Sequence, residues 1–347
     1  MSKIPGTYRI PVSRLEELFS LIASVSTLHR LKAMQSPKEF FFPQSENMAA
    51  FKTRGKEILI EENRDPNEAF VLFGLRACDV KSLELLDRVF LSDPVDTFYQ
   101  GRRQNGVIIT SACTEPEESC FCGAFKSENF IIDPASPGGD VATWLCGDTL
   151  YWKSETKKGL ELTEKLKTLF QPADDRDEAL VKESQEKIRS ILNKLPFKDL
   201  NLKGLNGKPL MELFNAPQWA DLYTSCLGCG TCTFVCPTCH CYDIQDYDTG
   251  RGVKRSRCWD SCMYSDFTLM AHGNPRLSQL ERFRQRYMHK LKYFPDNNEG
   301  LFACVGCGRC VTKCPVSMNI VKVIKALSSE RAALSQERAS LGVKQNV

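Results

Sequence analysis

The sequence lacks any long hydrophobic run. Its longest apolar stretches, such as AFVLFGL at residues 69–75, are far shorter than the roughly 20 residues that a membrane-spanning helix needs. The chain opens with MSKIPGTYRI, without the positively charged start and apolar segment of a secretory signal. These absences predict a protein of the reducing cytoplasm with no membrane partner, in which disulfide bonds are not expected.

A dominant charge of one sign is lacking as well, because 46 Lys and Arg offset 43 Asp and Glu to leave a formal net charge of +3. This balance predicts no strong affinity for nucleic acid. A G-x-G-x-x-G strand-to-helix motif is also absent, so we expect any nicotinamide nucleotide to bind to another subunit. The charges are not evenly distributed, however. A basic block from Arg251 to Lys292 contains ten Lys and Arg and only three acidic residues.

Cysteine, in contrast, is abundant. The chain holds 17 cysteines, an odd number that disfavours a purely disulfide framework. Eight of them fall in two copies of one unit, SCLGCGTCTFVCP at residues 225–237 and ACVGCGRCVTKCP at residues 303–315. Each copy has the C-x2-C-x2-C-x3-C-P spacing with which bacterial ferredoxins bind iron-sulfur clusters. Zinc favours four ligands in two pairs, so we interpret the repeat as two [4Fe-4S] sites.

In two-cluster ferredoxins the cysteine before proline binds the other cluster. We therefore expect the ligands of cluster 1 to be Cys226, Cys229, Cys232 and Cys314. The expected ligands of cluster 2 are Cys304, Cys307, Cys310 and Cys236. Glycines between these cysteines are expected to let the backbone approach the cluster sulfurs, since a Cβ would crowd the donating N–H groups. These glycines are Gly228, Gly230, Gly306 and Gly308.

Two adjacent clusters without recognisable substrate residues indicate a one-electron relay. In such a relay the basic block would offset the negative charge of the clusters, raising their potential, or bind an acidic partner. The alternative for any single arginine is a place on a solvated helix face.

Patterns along the chain predict an α+β protein of two domains. The first, residues 1–205, is predicted to be of α/β type, because short strands alternate with helices. We expect a first helix capped by Ser13 with Glu16, and a second over Val80–Phe90 with Asp79 as its N-cap. The predicted strands cover residues 57–62, 69–75, 106–112 and 129–133.

The second domain, residues 206–347, is predicted to be an α-helical, bacterial-ferredoxin-like domain with two [4Fe-4S] clusters and a long insert at 237–303. Within the insert, Asn274 and Pro275 are expected to be the N-cap and first residue of a helix with a basic outer face. A C-terminal helix is predicted from Ile320 to about Leu341, and its apolar face would dock on a partner subunit.

Further segments resemble a known family. These segments are LRACDVKSLELLDRVFL, CTEPEESCFC, CPTCHCYDIQD, RCWDSCMYSDFTLMAHGNPR and CVGCGRCVTKCPV. They are similar to the β subunit of cytoplasmic sulfhydrogenases and to the iron-sulfur subunit of anaerobic sulfite reductase, over about residues 70–325. The resemblance implies an iron-sulfur electron-transfer subunit of a heteromeric anaerobic oxidoreductase. It would lie between a terminal hydrogenase, sulfite reductase or heterodisulfide reductase module and a flavin- and NAD(P)H-binding subunit.

Four cysteines of the first domain lie in motifs that the family shares and are candidates for a third cluster: Cys78, Cys113, Cys120 and Cys122. The predicted helix would place Cys78 just outside its N-terminus, where a thiolate is favoured. The alternative is that these thiols pack in the core as small hydrophobes. Cys146 is interpreted as a core residue.

Four further cysteines are candidates for an additional site in the insert: Cys239, Cys241, Cys258 and Cys262. Cys258 departs from the family pattern. Three interpretations stay open, namely packing around the ferredoxin clusters, a further cluster, and a redox-active thiol pair. His240 is interpreted as a hydrogen-bond partner. The rival function is a catalytic subunit that binds a flavin or a sulfur substrate, with the extra cysteines as its reactive site.

Overall fold

The computed structural model describes residues 6–30, 34–61, 68–127, 130–250 and 252–328. The chain divides into two compact units. Unit 1 comprises Met1–Glu117, Ile132–Leu195 and Ile244–Cys258, and unit 2 comprises Glu118–Ile131, Pro196–Asp243 and Trp259–Val347. Helices and strands are mixed, which confirms the α+β class. In the described residues no helix is both long and apolar enough to span a bilayer.

Unit 1 is built on two β-sheets. Its strands are β1 (Tyr8–Pro11), β2 (Thr27–Arg30), β3 (Ser45–Arg54), β4 (Glu57–Glu61), β5 (Phe70–Leu75), β6 (Gly106–Ser111), β7 (Val141–Cys146), β8 (Thr149–Ser154), β9 (Gln171–Pro172), β10 (Tyr242–Asp248) and β11 (Val253–Trp259). The larger sheet has the order β2-β5-β6-β7-β8-β1-β9 and the smaller one the order β10-β11-β3-β4. From β2 to β7 the neighbours are parallel, and from β7 to β9 they are antiparallel.

The centre of the larger sheet follows from its composition. Strand β5 reads FVLFGL, a continuous apolar run typical of a strand covered on both faces. Its residues Val71, Leu72 and Leu75 are fully buried. Side chains from several elements pack around it in one core, which includes Ile10, Leu18, Ile22, Val71, Ile109 and Trp152.

The helices of unit 1 are α1 (Leu15–Val25), α2 (Lys38–Phe41), α3 (Ala77–Phe90), α4 (Thr97–Asn105), α5 (Lys157–Lys165) and α6 (Asp175–Leu192). Two predicted helix starts are wrong. Ser13 lies in a 3-10 turn, Val12–Arg14, and makes no capping bond. Helix α3 begins at Ala77 because the Arg76 N–H donates to Asp79 Oδ2 at 3.1 Å, so Cys78 lies inside the first turn rather than before it.

Strands predicted at residues 57–62, 69–75 and 106–112 correspond to β4, β5 and β6. The strand predicted at residues 129–133 is wrong where the structure describes it, since Phe130 makes only an isolated bridge with Ser127. Residue 129 lies outside the described residues. Phe130 and Ile132 are buried while Ile131 is 61% exposed. This alternation imitates a strand, but Pro134 follows at once and cannot donate to a ladder.

The helices of unit 2 are α7 (Lys203–Asn206), α8 (Leu210–Phe214), α9 (Trp219–Leu222), α10 (Thr231–Phe234), α11 (Gln279–Met288), α12 (Phe294–Asn297), α13 (Arg309–Thr312) and α14 (Ile320–Ser328). Between α11 and α12 the chain forms a π-helical turn, His289–Tyr293. The remainder of the predicted C-terminal helix, beyond Ser328, lies outside the described residues.

The predicted start of the insert helix at Asn274 is also wrong. Helix α11 is capped by Ser278, whose Oγ accepts from the Glu281 N–H at 3.3 Å while its own N–H donates to Glu281 Oε2 at 2.7 Å. Asn274 instead closes a turn before the helix, where its Oδ1 accepts from the Arg276 N–H at 3.0 Å. The capping box therefore sets the start of the helix, four residues later than the Asn-Pro pair indicated.

Candidate metal centre

The four cysteines expected to hold cluster 1 line one cavity in unit 2. This narrow cavity is bounded by Cys226, Cys229, Cys232, Cys314, Gly230, Met263, Tyr287 and Met318, among others. Gly228 and Gly230 have φ angles of 68° and 71°, in the left-handed region that favours glycine. They turn the loop so that α10 begins after Gly230 and carries Cys232.

The thiols expected to hold cluster 2 also lie together in unit 2. Burial raises the pKa of Cys310 to about 12, Arg286 opposes that shift, and the nearby thiols of Cys236 and Cys307 add to it. Burial likewise raises the pKa of Cys304, with a further contribution from Cys236. Bound iron would instead favour the thiolate form of these cysteines, because a coordinating thiol is deprotonated by its metal.

Cys232 and Cys310 link the two quartets. The thiol of Cys232, from the first quartet, acts electrostatically on Cys310, from the second. The loops match, since Gly308 also has a left-handed φ of 77° and α13 begins after it with Cys310. Soft sulfur donors in two neighbouring sets of four fit a pair of cubane clusters.

Two members of the basic block are buried beside these thiols. Arg286 and Lys290 are 2% and 4% exposed. The Arg286 Nη2–H donates to the Cys232 carbonyl at 3.2 Å, and Lys290 Nζ donates to Thr238 Oγ1 at 2.8 Å. The sequence showed a basic block, but it contained no signal that would single out these two residues.

Glycines of the second loop leave room for another segment of unit 2. A β-carbon on Gly306 would lie 2.5 Å from the Phe121 carbonyl, and one on Gly308 would lie 2.5 Å from Ser119 Oγ. The Phe121 N–H donates to the Gly306 carbonyl at 2.8 Å. The close approach at these glycines is therefore made by residues 119–122, a role that sequence reasoning missed.

Candidate ligands of a third cluster fall in both units. Cys78, in the first turn of α3, and Cys113 belong to unit 1, whereas Cys120 and Cys122 belong to unit 2. The Cys113 N–H donates to the Pro134 carbonyl at 2.9 Å. Cys122 opens a 3-10 turn, Cys122–Ala124.

Three of the four insert cysteines lie near the ferredoxin thiols of unit 2. Cys239 hydrogen-bonds with Cys236, and this bond raises the pKa of Cys239 and lowers that of Cys236. Cys262 hydrogen-bonds with Cys241, which together with burial raises the pKa of Cys262, and Cys239 is near enough to add to the shift. Cys258 lies in β11 of unit 1, its Sγ 3.5 Å from Ser45 Oγ.

Other residues singled out from the sequence have local partners. The His240 ring lies 5.4 Å from the His289 ring, and its Nδ1 is 3.2 Å from the Thr238 carbonyl. Cys146, in β7, is half-buried and its Sγ donates to the Leu180 carbonyl at 3.9 Å. In the part of the chain that the structure describes, no three His, Cys, Asp or Glu side chains converge on a site for a single metal ion.

Comparison with known proteins identifies the family of the chain. Residues 225–318 match the family model of a 4Fe-4S dicluster domain. The chain is 34% identical over 323 residues to sulfhydrogenase 2 subunit beta of Pyrococcus furiosus, an alignment that covers 92% of this chain and 88% of the relative. The resemblance inferred from the sequence motifs is thereby confirmed. The chain belongs to the family of sulfhydrogenase β subunits.

Proposed function

We propose that the protein is an iron-sulfur electron-transfer subunit of a cytoplasmic, anaerobic oxidoreductase complex. It relays single electrons between a terminal module of the hydrogenase, sulfite reductase or heterodisulfide reductase type and a flavin- and NAD(P)H-binding subunit. The observation that carries the proposal is the pair of cysteine quartets in unit 2, joined where Cys232 lies near Cys310. Membership of the sulfhydrogenase β family supports it.

Each [4Fe-4S] cluster would supply a one-electron carrier. The ligands of cluster 1 are Cys226, Cys229, Cys232 and Cys314, and those of cluster 2 are Cys304, Cys307, Cys310 and Cys236. These thiolates would hold the iron, and Tyr287, Met263 and Met318 line the first site beside its cysteines.

The two sites differ in how deeply their cysteines are buried. Cys229 is exposed, whereas Cys236 and Cys304 are buried. Leu227 and Tyr264, beside the first loop, are also exposed at 66% and 39%. Cluster 1 would thus be the one nearer the surface of unit 2, and we assign to it the exchange of electrons with a partner at this face.

The number of clusters is tested by anaerobic determination of iron and acid-labile sulfide per chain. About eight irons correspond to the two ferredoxin clusters alone. About twelve would support a third cluster on Cys78, Cys113, Cys120 and Cys122, and about sixteen would add a site on the insert cysteines. We expect at least eight. Replacement of Cys226 or Cys304 by Ser should lower the count, whereas Cys146→Ser, the matched control, should not.

The division of labour between subunits is tested with the same preparation. NADH should leave the visible absorbance of the isolated subunit unchanged, because the nicotinamide and flavin sites are assigned to a partner. Bleaching by NADH alone, or a flavin spectrum in the purified subunit, would contradict the proposal and favour a flavin-binding catalytic subunit. Fewer than eight irons would remove its basis.

A further inference from the structure

Arg286, near the end of α11, and Lys290, in the following π-helical turn, are two buried cations four residues apart. Both have almost no solvent contact, at 2% and 4% exposure. A buried cation is strongly unfavourable unless an anion compensates it. The π-helical turn is itself unusual, since such turns are rare and are frequently found at functional sites.

The groups around Arg286 are thiols from both quartets. The largest electrostatic contributions to it from charged partners come from Cys232, Tyr287 and Cys310. Its Nε and Nη1 are buried and have no hydrogen-bond partner among the described residues. Two nitrogen atoms of a buried guanidinium therefore remain available as donors at the point where the quartets meet.

The groups around Lys290 belong to the second quartet. Its Nζ donates to the Ala303 carbonyl at 3.0 Å, next to Cys304, and to Thr238 Oγ1 at 2.8 Å. Thr238 Oγ1 lies 3.3 Å from Cys236 Sγ. The charged groups that act on Lys290 most strongly are Cys236, Cys239 and Cys304. These hydrogen bonds and neighbouring thiols place Lys290 beside the second quartet.

We propose that Arg286 and Lys290 set the reduction potentials of the two clusters, Arg286 acting on both and Lys290 on cluster 2. This inference rests on the proposed function. Reduction adds one electron to a cluster that its four thiolates already make negative, so a fixed buried cation stabilises the reduced form. Both residues act on the clusters through the electrostatic field of their positive charges. Their own protonation states need not change.

The test is a redox titration of the complete chain, followed by electron paramagnetic resonance of the reduced clusters. Arg286→Gln should lower both midpoint potentials, and Lys290→Met should lower one. We expect at least a tenfold change in the ratio of reduced to oxidised cluster at a fixed potential, which is 59 mV for a one-electron couple. Arg286→Lys keeps the charge, so its midpoint potentials should stay close to those of the wild type.

Arg284 provides the matched control on the same helix. Its Nη1 donates to the Phe214 carbonyl at 3.2 Å, and its guanidinium carbon lies over the Phe214 ring, 3.7 Å from the centroid. Arg284→Gln should leave both potentials unchanged. If the Arg286→Gln protein fails to hold iron, Lys290→Met decides the question, because it also removes a buried positive charge, whereas Arg286→Lys keeps one.

Two outcomes separate this inference from the proposed function. A wild-type chain without reducible clusters would overturn the proposed function itself. If the wild-type chain holds two reducible clusters and their midpoint potentials are the same in Arg286→Gln and in Lys290→Met as in the wild type, only the role of the buried cations is overturned.

Discussion

Gly306 has no β-carbon, and this allows two segments of unit 2 to pack closely against each other. The residue has a φ of 59°, and an added β-carbon would lie within 2.6 Å of backbone atoms of Phe121 and Cys122. Gly228 occupies the equivalent position of the first loop with a φ of 68°, but there the nearest atom would be 3.7 Å away, in the Gln279 side chain. The two glycines share a backbone conformation and differ in the space beside them.

We therefore expect Gly306→Ala to be more harmful than Gly228→Ala. The left-handed backbone alone should cost either variant about 1–2 kcal/mol, while Gly306→Ala must also displace the backbone of residues 121–122. The measurements are the denaturant midpoint of the iron-loaded chain and its iron content. Equal losses in the two variants would show that residues 119–122 do not pack on the second loop as described.

Among elements, α11 matters most because it carries Arg286. Ser278 and Glu281 fix its first turn through reciprocal hydrogen bonds. Ser13 and Glu16 have the same spacing in the sequence, yet Ser13 lies in a 3-10 turn and caps nothing. These two serines form a natural pair for comparison.

Replacing Ser278 by Ala should lower the free energy of unfolding by about 1 kcal/mol, as expected for loss of an N-cap. Hydrogen exchange of the first amides of α11 should become faster. Ser13→Ala, the control, should change the free energy of unfolding by no more than a few tenths of a kcal/mol. It should leave hydrogen exchange in α1 unchanged. A stability loss at Ser13 as large as that at Ser278 would contradict the assigned caps.

Element type was predictable where a strong local pattern existed. The apolar run of β5 and the periodic residues of α3 were enough to predict a strand and a helix there. Helix starts were not predictable from such patterns. The S-x-x-E signal at Ser13 and the Asn-Pro signal at Asn274 both occur where no helix cap forms. Strands β7 and β8, with Trp144 and Trp152 in their interiors, escaped sequence analysis.

At the scale of the whole molecule, the two units are interleaved along the chain. The boundary predicted near residue 205 treats them as successive, but Glu118–Ile131 belongs to unit 2 and Ile244–Cys258 to unit 1. The cysteine spacing was sufficient to group the ligands of each quartet as candidates. It carried no information on the packing of Phe121 against Gly306, because that contact joins segments far apart in sequence.

A fragment of residues 196–347 tests this organisation. It retains all eight ferredoxin cysteines and loses residues 118–131, which cover the second loop. We expect it to hold less iron after anaerobic reconstitution than the full-length Cys120→Ser/Cys122→Ser variant, which lacks the same two thiols but keeps the covering segment. Equal iron contents would show that unit 2 is complete without Glu118–Ile131.

The hydrogen bond between Phe121 and Gly306 also bears on how the protein is made. During synthesis, residues 118–131 leave the ribosome long before the loop they cover, and the β-strands on both sides of them can already fold. Unit 2 must wait until residue 306 and the last cysteines of both quartets have emerged. We therefore expect cluster loading to follow the emergence of Cys314, long after residues 118–131 have left the ribosome.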